Sequence, residues 1–113
     1  MSKPNIELIT NIFDLANKIN ISQADRSEII KTLSNDNKTK VELIFSKNAS
    51  TDWMNSKMFE LAFLIQGKAV VETNENKIIE MTAGDCISIH PNATHRVVST
   101  SKNALWIAIH TEE

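Results

Sequence analysis

A chain of 113 residues is long enough for one ordinary domain with a single core. Apolar residues make up 42% and charged residues 23%, the balance of a globular fold, and a formal charge of −2 excludes broad attraction to nucleic acid or to an anionic membrane. The longest apolar run, residues 61–65, is far too short to cross a bilayer. The opening Met1-Ser2-Lys3-Pro4-Asn5 lacks the apolar centre of a secretory signal, so the expected location is the cytoplasm. The lone cysteine, Cys86, has no intrachain partner, and its apolar surroundings predict a small buried hydrophobe.

Residues 6–21 carry apolar side chains at Ile9, Ile12, Phe13, Leu15, Ala16 and Ile19, and Asn11 followed by Asp14 suits a helix start. Ser22-Gln23-Ala24-Asp25 caps either a second short helical piece reaching about Leu33 or a strand that begins at residues 27–31. The cluster Ser34-Asn35-Asp36-Asn37 is a polar turn. After Lys38 the pattern becomes that of strands: residues 41–45, 59–65, 69–73, 77–81, 86–89, 95–99 and 104–110, with turns at 66–68, 74–76, 82–85 and 101–103. Seven short strands at close spacing predict an all-β sandwich or barrel over residues 38–113, preceded by a helical or irregular extension over residues 1–37.

The stretch from Gly84 to His95 concentrates the chemistry. A Gly-Asp turn feeds the strand Cys86-Ile87-Ser88-Ile89, and a turn containing Pro91 delivers His95 to the next strand. Glu60 shares a strand face with Ala62, Leu64 and Gln66, and an inward carboxylate there needs a histidine, a metal or a proton, because burying a lone charge costs several kcal/mol, roughly. His110 alternates with Trp106 and Ala108, so it either lines the same interior or frays near the chain end. His90 precedes Pro91 in an extended conformation and reads as a water-exposed turn residue, or else as the second half of a two-histidine platform with His95. Trp53, Met54 and Met58 form either packing under a loop or an apolar wall for an organic ligand. No serine sits in a G-x-S-x-G setting and two glycines cannot build a phosphate loop, which leaves nucleophile and nucleotide chemistry without residues.

Glu60 followed by Gly67, then Gly84-Asp85, Ile89, Pro91 and His95, resembles the two motifs of the cupin superfamily, with Pro91 displaced by one position. The closing strand Trp106-Ile107-Ala108-Ile109-His110 is similar to the last strand of small single-barrel members. The resemblance implies a double-stranded β-helix, or jelly-roll barrel, with a short N-terminal helical extension, and a homodimer. It also implies a histidine pair ahead of Glu60, at Trp53 and Asn55 or at Met54 and Ser56, and neither pair contains an imidazole. Two functions follow as expectations. One is a barrel that binds a small organic ligand through Glu60, His95, His110 and Trp53. The other is a metal-dependent oxygenase, isomerase or lyase, with Glu60 and His95 holding Fe, Mn, Ni or Zn and His90 or His110 completing the shell.

Overall fold

The computed structural model of the protein describes residues 5–112. Residues 1–4, on which the absence of a leader was argued, and residue 113 lie outside them. The described residues form helix α1 (Ile12–Ser22) and strands β1 (Ser27–Asn35), β2 (Thr39–Lys47), β3 (Phe59–Gln66), β4 (Lys68–Thr73), β5 (Ile78–Thr82), β6 (Cys86–Ile89), β7 (His95–Thr100) and β8 (Ala104–Thr111). This is the expected all-β architecture with one short helix at its N-terminal side. Between residues 23 and 33 the strand alternative is the one adopted. β1 pairs antiparallel with β2 from Ser27↔Lys47 to Asn35↔Lys40, so part of the segment assigned to an extension belongs to the sheet.

Two sheets face each other, one ordered β1-β2-β8-β3-β6 and the other β5-β4-β7. Strand alternation divides the larger sheet into two apolar faces. Ala62, Leu64, Ala104 and Trp106 point between the sheets, against Ala69, Val71, Met81 and Val97. Leu43, Phe45 and Leu105 point the other way and pack on Ala16, with Ile12, Leu15 and Ile19 of α1 around them. The helix exists to cover that second face. Asn11 starts it by accepting the backbone N–H groups of Phe13 and Asp14, both at 3.1 Å. Gln23 ends it with extended backbone, and its buried amide donates to the Phe45 carbonyl at 2.8 Å.

Both crossings between the sheets at one end meet in a single corner. Gly67 alone separates β3 from β4, at φ +88°, beside Ser101 and Ala104 at the β7–β8 crossing. Lys68 and Ser101 exchange bonds there: the Lys68 N–H donates to Ser101 Oγ and the Ser101 N–H donates to the Lys68 carbonyl. Gly84, at φ +100°, makes the other crossing, from β5 to β6. Its N–H donates to the Leu64 carbonyl, and the Leu64 N–H donates to the Asp85 carbonyl. With Leu64 thus engaged, β3 bulges between Leu64 and Gln66. The bulge corrects one expectation: Gln66 leaves the face of Glu60, pairs opposite Leu105 and bonds the Asn103 carbonyl. Cys86 is also corrected. It is exposed, because on β6 the two isoleucines turn inward and Cys86 and Ser88 turn out.

Candidate functional site

Between the sheets, at the end away from the Gly67 corner, lies a cavity of about 250 Å³. Its walls come from seven strands, with Ile44, Ala62, Val71, Ile87, Val97 and Ala108 supplying much of the apolar surface. At its mouth, Ile30 of β1 is 54% exposed, while Thr51, Met54, Asn55 and Ser56 arrive from the loop after β2. That loop is held as an extra short strand on the open edge of β7. Met54 and His95 exchange backbone bonds of 2.7 and 2.9 Å, and the Thr51 N–H donates to the Val97 carbonyl.

Three polar side chains meet on the large sheet because the register places them together. His110 stands opposite Glu60 across the β3–β8 ladder, and Glu42 stands opposite Ala108, two residues along the same face. His110 Nδ1 lies 3.5 Å from Glu60 Oε1, and Nε2 lies 3.0 Å from Glu42 Oε1. The shorter contact is close enough for an ion pair but lacks the alignment of a hydrogen bond, and Nε2 is buried without a hydrogen-bond partner. The three side chains are only 14–19% exposed. Deeper in the wall, the indole N–H of Trp106 is likewise buried and unpartnered. Glu28 of β1 adds a third carboxylate to the lining and accepts a bond from the buried Ser46 hydroxyl at 2.9 Å.

The structure brings Glu60, His95 and His110 to one cavity and leaves His90 and Trp53 elsewhere. His95 turns Nδ1 to the Ala93 carbonyl at 3.0 Å and sits on the wall shared with a second, more polar cavity of about 340 Å³ around Asn74, Lys77 and Thr94. His90 is exposed, edge-on to Phe59 with ring centroids 5.3 Å apart, so it does not complete a shell with Glu60 and His95. Trp53 is 45% exposed, and the Arg96 guanidinium lies 4.8 Å over its ring, with Arg96 itself paired to Glu72 at 2.6 Å. Its neighbour Met54 takes the inward position instead, since adjacent residues of an extended segment face opposite ways. Glu42 is the partner that sequence reasoning missed. Its signal was a carboxylate on the same strand face as Ile44, opposite to Leu43, inside an apolar strand.

The donors present do not fit a metal centre. Among the described residues, no group of three or more His, Cys, Asp or Glu side chains is disposed to hold an ion. Both ring nitrogens of His110 face carboxylates, and the positions of the expected histidine pair carry a thioether, an indole, an amide and a hydroxyl.

Comparison with known proteins places this geometry. The chain is similar to a solved "putative mannose-6-phosphate isomerase" from Ralstonia eutropha, at 25% identity and TM-score 0.73, over 77% of this chain and 86% of that one. A cupin superfamily protein from Desulfitobacterium hafniense matches over 100% of both chains, at 15% identity and TM-score 0.74. DMSP lyase DddQ from Ruegeria pomeroyi shares the fold at 9% identity and TM-score 0.69, over 76% of this chain and 47% of that one. No curated protein sequence matches the chain. The family model described as the cupin domain matches residues 42–110, from the carboxylate of β2 to the histidine of β8, and the chain belongs to the cupin family.

Proposed function

We propose that this protein is a binding module that holds a small organic molecule between its two sheets, with Glu42, Glu60, His95 and His110 as polar anchors. The observation that carries the reading is the cavity itself: about 250 Å³, mostly apolar, with a few convergent polar groups at one end. Such a volume falls just below the roughly 300–1,000 Å³ of pockets for drug-sized ligands, which suits a small guest. The module works as a homodimer. Ile6, Leu8 and Ile9, at 92%, 91% and 68% exposure, and Ile21 on α1 leave apolar surface that a second copy would cover. An exposed free thiol at Cys86 suits the reducing cytoplasm.

Isomerase and lyase members share this fold, and the 25% identity to the Ralstonia protein gives the enzyme reading its support. Two features weigh against it. The donor set does not fit a metal, and the cavity lining contains no lysine or arginine to meet a phosphate. A screen of small polar fragments by ligand-observed NMR tests the binding reading. Hits should lose at least tenfold in affinity in Ala108→Leu, which fills the cavity floor, while the variant keeps its native methyl spectrum. Hits that persist unchanged in a folded Ala108→Leu would sink it.

A further inference from the structure

The lining of the candidate site is unbalanced in acidic and basic groups. Glu28, Glu42 and Glu60 face it, together with His95 and His110, and no lysine or arginine does. Three carboxylates outnumber two imidazoles in the lining, and one lysine, Lys40, stands outside it with Nζ 3.9 Å from Glu42 Oε2. His110 serves both of its carboxylate neighbours only with a proton on each ring nitrogen. A neutral ring carries one N–H and serves at most one of Glu42 and Glu60, and its Nε2 has no hydrogen-bond partner as the side chains stand. A second observation is independent of the acids. Trp106 lines the same cavity at 5% exposure, and its indole N–H, a donor only, is buried with nothing to donate to.

We infer that the cavity selects a small organic cation: an aliphatic ammonium ion that carries a hydrogen-bond acceptor elsewhere on its chain. The inference rests on the cavity being the binding site. The ammonium offers three N–H donors to the Glu42–Glu60 end, where acceptors outnumber donors. The apolar walls of Ala62, Val97 and Ala108 take the hydrocarbon, and the Trp106 N–H meets the acceptor. Discrimination comes from repulsion as much as attraction: a carboxylate or phosphate would have to lie against three carboxylates, with no lysine or arginine in the lining to receive it.

Matched probes of three to six carbons test this: linear amino alcohols, the corresponding diols and the corresponding hydroxy acids. Each is titrated into ¹⁵N-labelled protein, with the Trp106 indole signal as the reporter and the Trp53 indole, outside the cavity, as the internal control. An amino alcohol should shift Trp106 saturably and leave Trp53 in place, bind at least tenfold tighter than its diol, and leave the hydroxy acid without measurable binding. Glu60→Gln and Glu42→Gln should each remove most of that tenfold preference of the amino alcohol over its diol. Equal affinity for diol and amino alcohol, or tighter binding of the hydroxy acid, overturns the cationic selectivity and leaves the cavity as the site. Failure of every probe to move Trp106 overturns both.

Discussion

Gly67 and Gly84 hold similar left-handed backbones, at φ +88° and +100°, yet their surroundings make them unequal. A Cβ on Gly67 would come 2.9 Å from the Ala104 Cα, which is backbone in the shared corner and cannot step aside; a Cβ on Gly84 would meet nothing within 4 Å. Gly84→Ala should therefore cost only the conformational penalty, about 1 kcal/mol. Gly67→Ala should add the overpacking term and lose roughly 3 kcal/mol. Thermal denaturation of the two variants reads the difference directly, and equal losses would contradict the corner geometry. The two motif glycines are thus explained by the paths between sheets, with no appeal to a ligand.

At the scale of elements, the β1–β2 turn gives a pH effect with a definite sign. The backbone N–H groups of Lys38 and Thr39 donate to Asp36 Oδ1 at 3.0 and 2.9 Å, and they hold its carboxyl below the ordinary value of 3.8. A carboxyl whose folded value is depressed supports the fold above the ordinary value and loses that support as pH falls through the folded one. Asp36 should therefore titrate below 3.8 by carboxyl NMR, and the Lys38 and Thr39 amide signals should shift with it. A midpoint at or above 3.8 would show that the turn bonds do not bind the carboxylate. Most strands were legible in the sequence because alternation and turn residues are local signals. β1 was ambiguous, since residues 27–31 satisfy a helix and a strand equally until β2 is present to pair with them. The bulge after Leu64 was illegible because its cause, the Gly84–Asp85 turn docking on Leu64, lies about 20 residues away in the chain. Strand phase allowed an inward Glu60 and His110 while leaving a rim or a frayed end open as the alternative, and the turn at Pro91 with the family motif suggested His95. Glu42 became a partner of His110 only through the β2–β8 register.

At the scale of the whole molecule, the edges of the two sheets are managed differently. The outer edge of β7 is covered by the loop that carries Thr51 and Met54, whereas among the described residues β1 ends the large sheet with its outer edge unpaired beside the exposed Ile30. The exposed Ile6, Leu8 and Ile9 give a second copy something to bury, so Ile6→Glu combined with Leu8→Glu should convert the proposed dimer to a monomer in sedimentation velocity. A wild-type monomer at high micromolar concentration would refute the assembly. One strand also ties the molecule together in another way. β8 sends Trp106, Ala108 and His110 to the cavity and Leu105 to the helix side, and it lies between β2 and β3 at the centre of the large sheet. Both cores are thus built on the same backbone, so loss of β8 from the sheet exposes both at once. Whatever settles between the sheets rests on the strand whose other face carries Leu105 beneath α1, a helix it never touches.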